Sequence, residues 1–361
     1  MGKKAAVFFY GKKNFGGAER RLARIMNQIC MDNYQVDFIF KEADTYEVLY
    51  KKYEEVVGSP LLFGFHVFKK YTDIFNFVIK EKYNAIFFTG PYTAVLPFLT
   101  AGKLSGAKCV QLQVSIFPSI WKFDNLFTKA EFYLVGKIVD QIDVLYPNSY
   151  DLYSKLFGRE KISITPCPST DLSKYAPNEI KKRTIVFASR WMKNKNVLLC
   201  VKAALSIGEV LQGNNYKVIL CGYNGESTDY IATVKNTIAQ SKYKNLFEMP
   251  GFVDTKNYLA DAEVFLSLQD ITNYPSQSLL EAIASGCYII ATNTGDTELL
   301  VNEKFGVLCN TTVADVSRAL KEYIYKTTDQ KKEIVRSARE FAVENLDLSK
   351  SVEHYKQIIS Y

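Results

Sequence analysis

Two successive runs of short apolar segments, each alternating with longer amphipathic ones, divide the chain. AAVFFY, QVDFIF, NAIFFTG, AKCVQLQV, DVLYPNS and KISITPC make up the first run, and each ends in turn residues. Uninterrupted apolar positions over such lengths mark strands buried on both faces. Helical patterns lie between them: in residues 67–80 (VFKKYTDIFNFVIK) apolar side chains recur at 67, 71, 74, 75 and 78. This alternation predicts a parallel sheet with helices on both sides. Residues 166–182 (PCPSTDLSKYAPNEIKK) break it with three prolines and many polar side chains, and read as a linker. The alternation then restarts with RTIVFAS, YKVILCGY, NLFEMPGFV, EVFLSLQ, CYIIAT and FGVLC.

Two doubly wound α/β domains in tandem are therefore expected, at residues 1–166 and 167–340. Residues 341–361 form a C-terminal helix that packs back on the first domain, because LSKSVEHYKQIISY is amphipathic enough to cross a domain boundary. In such folds a ligand sits at the carboxyl ends of the strands, here in a cleft where two sheets face each other.

Composition narrows the class. With 361 residues, 48% hydrophobic and 23% charged, the chain is an ordinary globular protein of two-domain size. MGKKAAVFFY lacks the length and cleavage site of a secretory signal, and the longest apolar runs are about half of the ~20 residues a membrane span needs. Seven scattered cysteines, with no C-x-x-C pair, read as reduced core thiols, so a cytoplasmic location is expected. Two histidines, His66 and His354, are too few for a zinc cage. The net charge of +7 lies almost wholly in the first half, where 22 Lys/Arg face 16 Asp/Glu in residues 1–166. An anionic acceptor or membrane surface on that half would use it, as would a plain solvated basic face.

Four loops follow strands and would line the cleft. GKKNFGGAERR places Gly16-Gly17 before a helix, where free amides suit an anion and where a tight turn needs glycine anyway. It is not G-x-G-x-x-G, and no acid ends QVDFIF to hold a ribose, which argues against a dinucleotide oxidoreductase. SRWMKNKN carries Arg190 and Lys195, suited to a diphosphate, Arg by paired hydrogen bonds and Lys as a point charge, though such spacing alone would rather mark a solvated basic turn. PGFV offers backbone at Phe252 and Val253 to a flat base. TNYPSQSLLEAIASG carries Glu281, which Ser278-x-x-Glu281 would equally place in a capping box.

Taken in order, the four resemble the retaining glycosyltransferases of the GT-B fold, glycosyltransferase family 4. GGAER resembles the family's opening and SRWMKNKN its G-R-L-x-x-x-K-G. PGFV, EVFLSLQD and SLLEAIASGCYIIATNTGDTELL resemble its nucleotide-sugar half, specifically over residues 184–309 and loosely over 20–165. The resemblance implies two Rossmann-like domains facing across a cleft, the first for acceptor and the second for nucleotide sugar. It implies that Arg190 and Lys195 bind the donor diphosphate and that Glu281 holds the ribose. Phe252-Val253 would face the base, amides at Ser278-Leu279 would face the phosphates, and Gly16-Gly17 would close over them. Where the family's E-x7-E pair has its first glutamate, this chain has Asn273, or Thr272 if Tyr274-Pro275 aligns with the family's Phe-Pro. Asn273 retains hydrogen-bonding capacity for a sugar hydroxyl. Where the family has a histidine near the reacting carbon, KCVQLQVS offers Gln113, with Ser115 close by.

The reaction so implied moves a sugar from a nucleotide diphosphate to an acceptor hydroxyl with retention, the leaving diphosphate taking the acceptor's proton. No D-x-D motif stands in a cleft loop, so no metal or other cofactor is expected. The basic and aromatic stretches FGFHVFKKY and FPSIWKFDNLF favour a saccharide or lipid-linked saccharide acceptor at the inner membrane face, in synthesis of cell-surface polysaccharide or lipid-linked glycan. Their alternative is helix core. No nucleic acid is expected as a partner. Two rival functions use the same architecture: a nucleotide-sugar epimerase, which would want acids and histidines in the cleft, and a degenerate transferase kept for binding a sugar nucleotide or partner chain.

Overall fold

Successive side chains of β1 (Lys4–Tyr10) leave the strand on opposite faces and enter two different cores. Ala6 and Phe8 join one, with Ile86, Phe88, Phe98 and Val135. Ala5, Val7 and Phe9 join the other, with Leu22, Met26, Phe87 and Leu112. A strand buried on both faces has no polar side to show, which is why its sequence is a continuous apolar run.

The computed structural model describes residues 2–10, 17–41, 46–57, 60–89, 93–113, 126–166, 168–222, 228–271 and 274–360. The chain divides into two compact units, Met1–Cys167 with Leu348–Tyr361, and Pro168–Asp347. The first holds a seven-stranded parallel sheet of β1, β2 (Gln35–Lys41), β3 (Gly64–Phe68), β4 (Ala85–Thr89), β5 (Lys108–Gln113), β6 (Gln141–Val144) and β7 (Ile162–Ile164). Their order is β3-β2-β1-β4-β5-β6-β7, so the winding reverses between β1 and β4. β3 corrects the sequence reading, which ran a helical pattern from residue 67. Val67 and Phe68 belong to this edge strand, and the helix begins at Tyr71, burying Ile74 and Val78. Phe65 is core here, and FGFHVFKKY runs along the sheet edge where a helix was the alternative.

The C-terminal helix Leu348–Ser360 belongs to this unit. Val352, Tyr355, Ile358 and Ile359 recur at helical spacing and enter the same core as helix Gly17–Met31. Each such side chain contributes roughly 1.5–3 kcal/mol on burial. A polar network fixes the helix in register: Asp143 on β6, fully buried, accepts from Ser163 Oγ at 2.6 Å and Thr165 Oγ1 at 2.7 Å. It also meets His354 Nε2 at 2.7 Å and accepts from the Tyr355 hydroxyl at 3.2 Å. Burial pushes the Asp143 pKa up, but the hydrogen bonds and charge of these partners outweigh it and hold the carboxyl below its usual range.

The second unit holds a six-stranded parallel sheet of β8 (Lys182–Ala188), β9 (Lys217–Cys221), β10 (Phe247–Gly251), β11 (Ala262–Ser267), β12 (Tyr288–Thr292) and β13 (Gly306–Cys309). Its order, β10-β9-β8-β11-β12-β13, repeats the reversal, now between β8 and β11. Residues 168–181 are not a loose tether but pack on this unit. Arg339 donates to the carbonyls of Leu172 and Tyr175, and Asn178 N donates to Ala260 O.

Candidate nucleotide-diphosphate site

Open α/β sheets bind ligands beyond the carboxyl ends of the strands, where the strand order reverses. In the second unit that point is occupied by the loops leaving β8 and β11. The β8 loop turns out of the sheet at Ser189-Arg190 and is pinned by Trp191, whose side chain is fully buried. Residues Lys193–Lys195 make a single 3-10 turn, closed by Lys195 N to Met192 O at 2.9 Å, and Asn196 takes φ 59° before helix Val197–Ser206. Asparagine tolerates that left-handed backbone better than most side chains. Gly222, after β9, makes room beside this turn, since a Cβ there would lie 2.3 Å from Ser189 O.

The turn presents two cations differently. Arg190 is exposed and has no carboxylate partner among the described residues. Lys195 is half-buried, and its Nζ donates to Gln269 Oε1 at 3.2 Å. Burial first, and the nearby Arg190 charge second, lower its pKa to about 8. A desolvated ammonium facing a neutral carbonyl is short of negative charge, as a site for an anion should be.

The β11 loop locks against this turn. Asn196 Nδ2 donates to Leu268 O at 2.8 Å and to the Asp270 carboxylate, while Asp270 N donates to Asn194 O at 3.0 Å. From β12, Thr292 Oγ1 donates to Gln269 O at 2.6 Å. Gln269, Asn196 and Thr292 thus set the position of Lys195. Sequence reasoning passed over them, and the one signal available was an asparagine in a K-N-K-N turn.

Helix Gln277–Ala284 follows, and its frame overturns the capping-box alternative. Its N-cap is Ser276, with no side-chain cap bond, so Ser278 is the second helical residue and Glu281 the fifth. Leu279 N already donates to Ser276 O at 3.0 Å, whereas the amides of Gln277 and Ser278 have no acceptor among the described residues. Those two amides, with the helix dipole, are what this terminus offers an anion. Glu281 lies one turn further in and is 3% exposed. The far end of the helix is held by half-buried cations: Arg339 donates to Ala284 O at 2.9 Å and Lys181 to Ser285 O.

Phe252 and Val253 leave β10, two strands from β8, at the same end of the sheet; Phe252 is 76% exposed. Gly17 opens the first helix of the other unit, and Gln113 ends β5 there, buried. Gly16, Ser115, Thr272 and Asn273 lie outside the described residues. A concavity of about 660 Å³ adjoins the turn through Lys193 and Asn196 and is walled by Lys202, Tyr230 and Asp270. Arg190, Lys195 and Glu281 do not line it, and its one carboxylate is engaged by Asn196. Among the described residues no three His, Cys, Asp or Glu side chains cluster as metal ligands would.

Comparison with known proteins bears on this site. Residues 182–326, within the second unit, match the family model "Glycosyl transferases group 1". The chain is 24% identical over 275 residues to a Campylobacter jejuni protein, covering 68% of this chain and 73% of the relative. That relative is the GalNAc-alpha-(1->4)-GalNAc-alpha-(1->3)-diNAcBac-PP-undecaprenol alpha-1,4-N-acetyl-D-galactosaminyltransferase. Among solved structures, a glycosyltransferase from Rickettsia africae matches with a TM-score of 0.78 at 15% identity, covering 99% of this chain and 98% of that one. HepE of Anabaena in complex with UDP matches with a TM-score of 0.80 at 14% identity, covering 99% of each chain. The fold is GT-B, two parallel-sheet α/β domains in one chain.

Proposed function

We propose that the chain is a glycosyltransferase that moves a sugar from a nucleotide diphosphate to an acceptor hydroxyl, with retention at the anomeric carbon. One observation carries this reading beyond the family match. Arg190 and Lys195, neither with a described carboxylate partner, stand at the β8/β11 reversal, and the helix that follows the β11 loop has two leading amides without acceptors among the described residues. Two cations and a helix terminus suit a diphosphate and favour charge that grows on it as it leaves.

In the proposed reaction the bond from anomeric carbon to diphosphate oxygen breaks and the acceptor oxygen bonds to the same face of the sugar. The acceptor's proton passes to the departing diphosphate. Arg190 and Lys195 stabilise the accumulating charge, Glu281 holds the ribose, and backbone at Phe252-Val253 lies against the base. Asn273 meets the donor sugar. The acceptor, a saccharide or lipid-linked saccharide of a cell-surface glycan pathway, docks on the first unit near Gln113 and Ser115. The Campylobacter relative's undecaprenol-linked acceptor supports that choice, and the UDP complex of HepE makes UDP sugars the first donors to try.

A thermal-shift screen of UDP-, GDP- and ADP-sugars, followed by turnover of the hits, tests the reading. A true donor at 100 times its dissociation constant stabilises by ~2.7 kcal/mol. No shift with any nucleotide sugar would overturn it, and binding without turnover would favour a degenerate transferase.

A further inference from the structure

We infer that Arg21, on the first helix of the first unit, binds an anionic group of the acceptor, a carboxylate or a phosphate. Arg21 is 3% exposed, and its Nε and Nη2 are buried with no hydrogen-bond partner among the described residues. Those two atoms carry the parallel N–H bonds of one edge of the guanidinium. That edge is the fork that matches two oxygens of a carboxylate or a phosphate. A guanidinium keeps its charge at any working pH, so it cannot escape burial by losing a proton. A buried charge with its donors open is costly until an anion completes it.

Among the described residues no carboxylate answers it. Arg21 lies close enough to Tyr355 to be felt there: burial and Asp143 push the Tyr355 hydroxyl's pKa up, and the charge of Arg21 opposes them. Asp143, the acid this hydroxyl touches, uses one oxygen on Ser163 and His354 and the other on Thr165 and Tyr355. Glu19, two residues before Arg21, faces another side of the helix and has a partner of its own. Arg24, one turn on, is a second buried cation. The place suits a ligand. Helix Gly17–Met31 follows β1, at the reversal of the first sheet between β1 and β4. Helical side chains lean toward the N-terminus, so Arg21, the fifth residue, reaches back over a first turn whose amides have no acceptor within the helix. The proposed donor diphosphate is already met by Arg190, Lys195 and two amides of the second unit. The anion at Arg21 is therefore assigned to the acceptor, which the first unit is proposed to take.

The inference rests on the transferase reading for the identity of its ligand, and its test separates the two. Thermal melts of wild type, Arg21→Met, Arg21→Lys and Lys195→Ala are compared with inorganic phosphate, glucuronate and UDP, each against chloride at equal ionic strength. Without added anion Arg21→Met should melt no lower than wild type, because it removes a buried charge that lacks a counterion. Phosphate or glucuronate should stabilise wild type and Lys195→Ala alike. Each should bind Arg21→Met, and Arg21→Lys with its charge but no fork, about tenfold or more weakly than wild type. A shift with phosphate alone supports a phosphorylated acceptor, and one with glucuronate alone supports an acidic sugar. Both Arg21 variants should keep the UDP shift. The proposal is overturned if neither anion shifts wild type, or if the shift depends on Lys195 and not on Arg21. It is equally overturned if Arg21→Met melts well below wild type without anion, or if the Arg21 variants lose the UDP shift, which would make Arg21 a donor contact. An anion shift that depends on Arg21 in a protein that UDP never shifts would strike the donor reading alone and support the anion site.

Discussion

The Lys195 ammonium lies 3.2 Å from the side-chain carbonyl of Gln269, so the cation after β8 is held by a neutral group from the loop after β11. Its pKa of about 8 is the consequence of burial and of Arg190. The free protein should therefore lose this proton as pH rises through about 8, while the unfolded chain keeps it to a much higher pH. Between those values the unfolded state binds more protons, so this group makes stability rise with pH above 8. A bound diphosphate favours the ammonium, so nucleotide binding near pH 8 should take up a proton. Titration calorimetry in buffers of different ionisation enthalpy should show that uptake in wild type and its loss in Lys195→Ala.

Arg190→Ala and Lys195→Ala should each lower turnover ~100-fold or more, the effect of removing one contact that stabilises transition-state charge. Neither should lose stability, because Arg190 is exposed and Lys195 pays a desolvation cost in the free protein. Turnover near wild type in both variants would refute the phosphate assignment.

Ser278 and Glu281 separate the two roles that the motif allowed. Loss of a working N-cap costs typically ~1 kcal/mol. Since helix Gln277–Ala284 has Ser276 at its N-cap and no side-chain cap bond, Ser278→Ala should leave the melting temperature almost unchanged. Thr327, whose hydroxyl caps Gln330 N in a reciprocal pair, is the control, and Thr327→Ala should melt lower. Glu281→Gln keeps the shape of the buried side chain and should weaken nucleotide binding by tenfold or more, read by thermal shift.

Asp143 makes the first unit acid-sensitive. Its carboxyl pKa is held below the usual range in the folded protein, so its stabilisation is present above the unfolded value and is lost as pH falls through the lower folded one. Asp143→Asn should flatten that acid limb in urea melts at graded pH. His354→Ala removes one partner of a buried charge and should cost roughly 3–5 kcal/mol. A destabilisation within error of zero would contradict the network's role in seating the C-terminal helix.

Much of this was legible in the chain because parallel strands buried on two faces leave continuous apolar runs. β3 was not, since an edge strand only half covered runs into an amphipathic helix after two lysines, and no break in pattern marks the join. Arg190 and Lys195 were legible as a strand-end motif. Gln269, Asn196 and Thr292 were not, because their contact with that turn exists only through the pairing of β8 with β11 and of β11 with β12. The helix start was misplaced by two residues: Ser276 and Ser278 are equivalent as caps in sequence, and the backbone alone distinguishes them.

The central claim is that the carboxyl end of the second sheet binds a nucleotide diphosphate through the turn after β8. Titration calorimetry of UDP, GDP and ADP into wild type and Lys195→Ala tests it most directly. One of the three nucleotides should bind wild type and bind the variant at least tenfold more weakly, with the variant's melting temperature preserved. Equal affinity in the two proteins, or no binding of any of the three to wild type, would contradict the account.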